Sequence, residues 1–149
     1  MLRRPKNSAP KAESSIPNAT AKPNIISFLI ADSIIQEKGT NKWSVIGIFD
    51  RIHASSFPFI HPNLALYIKL SDAEGDYSIK IEFTNDAGQK LGVFEGLKLT
   101  IHSKLETPDF GIQTRNLTIP SPGKYNFDLY FNDQYCESVP LIIQETKSG

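Results

Sequence analysis

An all-β fold is what this chain predicts, on three observations. Apolar residues recur at every second position, turn residues return roughly every ten residues, and no stretch carries a convincing helical period. The clearest instance is the ending. Pro120-Ser-Pro-Gly123-Lys-Tyr125 launches the alternating set Tyr125, Phe127, Leu129 and Phe131, which turns at Asn132-Asp133 and returns from Tyr135 to Ile143. A proline-glycine corner feeding a hairpin is a common way for an antiparallel β-sandwich to close.

The elements follow in order. Residues 1–24 are proline, alanine, serine, asparagine and lysine with a single isoleucine, too little apolar surface to offset the entropy of ordering, so a disordered basic tail is expected there. Order is expected from Ile25, where Ile25-Ile-Ser-Phe28-Leu-Ile30-Ala is apolar on both faces and suits a strand in the middle of a sheet. A helix through Ile35 is the competing possibility. The isoleucine content and the Glu37-Lys-Gly39-Thr-Asn41-Lys turn favour a hairpin whose second arm is Trp43 to Asp50.

The segment from Arg51 to Pro62 is expected to be a long loop. Leu64, Leu66, Ile68 and Leu70 then alternate with Tyr67 and Lys69, and beyond the Asp72-Ala-Glu-Gly75-Asp turn Tyr77, Ile79, Ile81 and Phe83 do the same, which predicts a second hairpin. Asn85-Asp-Ala-Gly88-Gln turns the chain into Leu91 to Phe94, and Leu97 to His102 keeps period two. These pieces are expected to be one strand broken by a bulge at Glu95-Gly96. Phe110 to Ile119 precedes the corner, and Pro140 marks a sheet edge or a change of pairing in the last strand. The count is eight or nine strands, an immunoglobulin-like antiparallel β-sandwich over residues 25–145 with a short C-terminal tail at 146–149. Its expected core is Phe28, Ile30, Ile48, Leu66, Ile68, Ile79, Ile81, Leu99, Phe127 and Leu129.

Composition narrows the function. At 149 residues and 40% hydrophobic, the chain suffices for one domain with a real core. Net charge is zero overall, yet residues 1–24 hold Arg3, Arg4, Lys6, Lys11 and Lys22 against Glu13 alone, so a basic tail precedes an acidic body. Neither whole-molecule attraction to nucleic acid nor a membrane span is expected. A single cysteine, Cys136, and no apolar leader point to the cytoplasm.

Candidate chemistry is sparse. His53, His61 and His102 lack the tight ligand spacing of a zinc site, and no nucleophile sits in a recognisable elbow. Asp72, Glu74, Asp76 and Asp86 resemble calcium ligands only loosely, because the glycine falls at the wrong offset and exposed turns prefer acids anyway. No enzyme activity and no cofactor are expected. Asn18 and Asn116 open glycosylation sequons that have no consequence without secretion.

The richest segment is the Arg51–Pro62 connection, in which Arg51, His53, Phe57, Phe59, Ile60 and His61 form a candidate partner-binding loop. Exposed, its aromatic residues make a docking patch; buried, they plug one end of the sandwich, the commoner fate of bulky apolar side chains. Partners are expected to be another protein, or a second copy paired through the first or last strand at an edge. The alternative is a small-ligand or carbohydrate-binding module, calcium-assisted or not, working through outward Trp43, Tyr67 and Tyr130.

Trp43-Ser-Val-Ile-Gly47-Ile-Phe49-Asp50, Phe57-Pro58, Leu66 to Leu70 followed by Asp72, and Pro122-Gly123-Lys-Tyr125 resemble an uncharacterised bacterial family of small immunoglobulin-like β-sandwich proteins of unknown function. The resemblance covers about Ile26 to Ile143. It implies a sandwich and a bacterial origin, and it transfers no binding or catalytic residue.

Overall fold

The computed structural model describes residues 21–147. Nine strands run in order: β1 (Asn24–Gln36), β2 (Trp43–Ile48), β3 (Arg51–Ala54), β4 (Phe59–Ser71), β5 (Gly75–Asn85), β6 (Lys90–Ile101), β7 (Asp109–Ile119), β8 (Gly123–Phe131) and β9 (Gln134–Glu145). Among the described residues there is no helix, and so none long and apolar enough to cross a membrane. Residues 1–20 of the expected tail and the final two positions lie outside the described residues.

The strands form two sheets, β2-β1-β4-β7 and β3-β9-β8-β5-β6. They enclose one apolar cluster. Phe28, Ile30, Leu64, Leu66, Ile68 and Leu70 supply it from the first sheet, and Ile79, Ile81, Phe83, Phe127 and Leu129 from the second. Alternation does this work directly, since successive side chains on a strand point to opposite faces. Two of the expected core residues are less enclosed, although Leu99 still packs against the cluster. Leu99, on the edge strand β6, is only partly buried, and Ile48, on the edge strand β2, is 60% exposed.

Three local expectations hold in detail. The first hairpin pairs β1 with β2 through the turn at residues 37–42, where Gly39 and Asn41 have φ of 90° and 58°. The Glu95-Gly96 bulge is present: Ile79 pairs with Leu97 and Ile81 with Phe94, so two residues of β6 face Lys80 alone, and Gly96 takes φ 91°. Asn132 and Asp133 close β8 and β9 with φ of 50° and 64°, the left-handed pair that a two-residue hairpin with native twist requires.

Pro140 also sits as expected. It lies on β9 just before the stretch from Ile142 to Glu145 that pairs with β3, where its missing N–H costs no ladder bond on that side.

Other expectations are corrected. β4 and β5 do not form a hairpin: β4 pairs with β1 and β7, β5 with β6 and β8, and the turn at Asp72 (φ 56°) carries the chain across the core. The same turn residues serve a side-by-side reversal or a crossing, and the buried Ala73 in the turn fits the crossing. The sheets are not wholly antiparallel, because β3 runs parallel to β9. The Arg51–Pro62 segment is mostly strand, comprising β3, a short link with a cis Phe57–Pro58 bond, and the start of β4. Neither β1 nor β9 is a sheet edge; the edges are β2, β7, β3 and β6.

The first strand also begins before Ile25, and the chain is already tied down ahead of it. Pro23 is buried, the Tyr77 hydroxyl donates to the Ala21 carbonyl at 3.1 Å, and Lys22 Nζ donates to the Tyr135 carbonyl at 3.2 Å.

One departure matters for function. β1 pairs with β4 only as far as Ala31; beyond it, the β1–β2 hairpin leans onto the face of β7 turned away from the core. Gly111 makes room for it. A Cβ there would lie 2.2 Å from Ile34 Cδ1 and 3.0 Å from the Trp43 ring. Gly111→Ala is therefore expected to cost about 1–3 kcal/mol through overpacking and to red-shift Trp43 fluorescence, with Ile34→Ala in the same chain restoring much of the loss; urea unfolding and emission spectra measure both. Tyr125→Phe removes the 2.6 Å bond from its hydroxyl to the Ser121 carbonyl and is expected to cost about 1 kcal/mol in the same assay.

Candidate functional site

The expected partner-binding loop does not form one surface. Phe57 and Phe59 are half-buried against the core, which is the plug alternative, while Arg51 and His53 are exposed on β3 and Ile60 is exposed on β4. His61 packs beside Phe59 and also lines a cavity. Strand alternation sets Ile60 apart from Phe59 and His61, which lie two residues apart on one side of β4 with their rings 6.0 Å from each other.

That cavity, about 530 Å³, lies on the outward side of β4 and β7 beside the leaning hairpin. β4 pairs with β7 so that Asn63 stands beside Arg115 and Ala65 beside Gln113. Gln113 Nε2 donates to the Leu64 carbonyl at 3.2 Å and to the Asp32 carbonyl at 3.5 Å, which spends its donors and leaves its amide oxygen as an acceptor. Asp32 and Ser33 supply the hairpin wall. Opposite Asp32 on β2, Gly47 has φ 70°, and a Cβ there would come within 2.3 Å of the Asp32 carboxylate. Only glycine suits that position on both counts.

His61 sits at the inner end of this wall. Its ring packs against Phe49 at 5.9 Å and Phe59 at 6.0 Å, and its Nε2 is shielded from solvent without a hydrogen-bond partner among the described residues. Burial lowers its pKa, against the opposing pull of a backbone hydrogen bond at Asn63 and the charge of Asp32.

The other candidates are placed but not gathered. Tyr67 lies half-buried on the first sheet with its hydroxyl donating to Asp109 at 2.6 Å, and burial followed by that carboxylate pushes its pKa up to about 12. Trp43 packs over Gly111. Tyr130 belongs to the second sheet, under Lys80 Nζ at 4.6 Å and edge-on to Tyr135 at 5.8 Å. The three outward aromatics thus do not make a stacking platform. Asp76 accepts from Thr100 at 2.8 Å, and Asp86 lies at the opposite end of β5, so the turn acids do not converge. Among the described residues no group of three or more histidine, cysteine or acidic side chains is arranged to hold a metal.

Sequence reasoning missed Asp32, Asn63, Gln113 and Arg115. Each looks like an ordinary strand residue, and only the unusual Gly47 and Gly111, small residues inside strands, signalled a close approach.

His61 makes a pH prediction. Its folded pKa lies below the ordinary 6.5, so below that value the unfolded chain takes up the proton first and stability falls with pH until the folded group is also protonated. Melting temperature is expected to drop as pH is lowered through the ordinary histidine value of about 6.5, and His61→Phe to flatten the drop.

No curated protein matches the chain. A family model does, over residues 26–144, which spans β1 from its third residue almost to the end of β9. The chain belongs to that family, a family of unknown function designated DUF6941.

Proposed function

We propose that the domain is a non-enzymatic protein-interaction module of immunoglobulin-like type, and that its contact surface is the β1–β2 hairpin rather than the Phe57–Phe59 segment. The fold half of this reading is supported by three features: the chain crosses repeatedly between two sheets, a short parallel strand lies beside the last strand, and a tyrosine at the start of β8 bonds back to the preceding corner.

The observation that carries the function is the character of β2. The other edges bear charges, with Arg51 on β3, Lys90, Glu95 and Lys98 on β6, and Asp109 and Arg115 on β7. β2 reads Trp-Ser-Val-Ile-Gly-Ile, without charge or proline. Ile46 and Ile48 are 46% and 60% exposed, beside Ser33 and Ala31 of β1, and Ile35 at 55% is one diagonal step from Ile46. Edges are normally blunted by charge, and a contiguous apolar patch on a monomer marks an interaction site. The half-buried lone thiol Cys136, raised in pKa by burial, is at ease in a reducing compartment, which supports a cytoplasmic setting.

The test is the double variant Ile46→Lys/Ile48→Lys in affinity capture and photo-crosslinking from a position on β2. A protein held by the native domain is expected to be lost from the variant, while unfolding free energy changes by no more than about 0.5 kcal/mol, as for exposed substitutions. Retention of the same partners by the variant counts against the hairpin; a Phe57→Ala chain that unfolds identifies that residue as core.

A further inference from the structure

The cavity between Asp32 and Arg115 differs from a second depression on the domain in one physical respect. The second one, about 420 Å³ near the ends of β5 and β6, has polar groups that satisfy each other: Thr100 donates to Asp76 at 2.8 Å, Ser78 N to Asn132 at 2.8 Å, and Lys98 reaches Ser78 at 3.5 Å. In the first, opposite charges share one wall-lined space and do not meet. Among the described residues neither the Asp32 carboxylate nor the Arg115 guanidinium has a hydrogen-bond or ion-pair partner.

Both are placed on the cavity wall by their strands. Asp32 is fixed against the left-handed backbone of Gly47, and its carbonyl is held by Gln113. Arg115 stands two residues along β7 from Gln113, a step of about 7 Å on the same face. The cavity therefore has two poles. One offers acceptors, the Asp32 carboxylate and the free Gln113 amide oxygen; the other offers donors, the Arg115 guanidinium and the Asn63 amide beside it.

We propose that this cavity binds a small zwitterion of the amino-acid class, its ammonium group on Asp32 and the Gln113 oxygen and its carboxylate on Arg115 and Asn63. A planar guanidinium is suited to a carboxylate through paired hydrogen bonds, and an acid with a neutral oxygen beside it is suited to an ammonium group that donates three. The volume lies within the range of small-ligand sites. The site is independent of the isoleucine surface, since none of Ile35, Ile46 and Ile48 lines it.

The experiment uses the full chain, titrated with glycine, β-alanine, γ-aminobutyrate and glycylglycine, which span a range of charge separations. Acetate and methylammonium serve as the single-charge halves. Binding is followed by calorimetry and by amide chemical shifts at residues 32, 63, 113 and 115. At least one zwitterion is expected to bind saturably by about 10 mM, with each half weaker by about tenfold or more, and Asp32→Asn or Arg115→Gln is expected to weaken the zwitterion by a similar factor. Both side chains are exposed, so thermal melts of the variants are expected to match the parent. The proposal fails if no zwitterion shifts these four amides, if neither variant weakens the binding seen, or if acetate binds as well as the best zwitterion and is indifferent to Asp32→Asn.

Discussion

The structure depends on burying one aromatic group at the middle of the five-stranded sheet. Phe83 of β5 stacks on Tyr125 at 5.3 Å and 11°, and meets Phe127 at 4.9 Å, all three nearly inaccessible to solvent. Side chains of this size dominate core energetics through the apolar area they remove from water. Their neighbours follow from them. The β5–β8 register sets Phe83 beside Phe127, and Tyr125, whose hydroxyl is spent on Ser121, fixes the corner at which the chain leaves β7 in one sheet and enters β8 in the other. That crossing makes β7 an edge of the first sheet and leaves its outward face to be covered by something else.

What covers it is the β1–β2 hairpin, and the cover is partial. Over Gly111 the contact is close, with Ile34 and Trp43 set where any larger residue would collide. Farther along β7 the hairpin stands off and the cavity opens. One packing event therefore produces both surfaces to which a role is assigned: the inner side of the hairpin walls the Asp32 and Arg115 cavity, and its outer side presents Ile35, Ile46 and Ile48.

The two outer faces of the domain contrast in chemistry. On the five-stranded sheet, Thr84 donates to Asp128 at 2.9 Å, Ser138 also bonds Asp128, and Tyr135 and Ser138 share a hydrogen bond. Burial pulls the Glu82 carboxyl upward, but Lys90 at 3.2 Å and Lys80 at 3.4 Å outweigh it and hold it below its ordinary value. Donors and acceptors there are matched within the protein. On the four-stranded sheet Tyr67 and Asp109 are paired, but across the cavity Asp32 and Arg115 are not, and a group without a partner is a better recognition element than one already bonded.

By itself the sequence determined every strand but β3, most of their inward faces, the bulge at Glu95-Gly96, the left-handed turn at Asn132-Asp133 and the break at Pro140. Each of these is a local matter: alternation, glycine freedom and the missing proline N–H act within a few residues. It did not determine which strands lie side by side. The turn at Asp72 looked like a hairpin and proved to be a crossing, because identical turn chemistry serves both and only the shared core selects one. Arg51 to Pro62 looked like a loop because its prolines and mixed composition hid β3, a strand made possible by a parallel neighbour 91 positions away. Tertiary structure alone decided that Ile48 faces solvent, that Phe57 and Phe59 face the core, and that Asp32 and Arg115 share a cavity. Those outcomes turn on where a hairpin leans, and the free energy of that lean is set by contacts between distant strands, Ile34 and Trp43 on Gly111, that no short stretch of sequence contains.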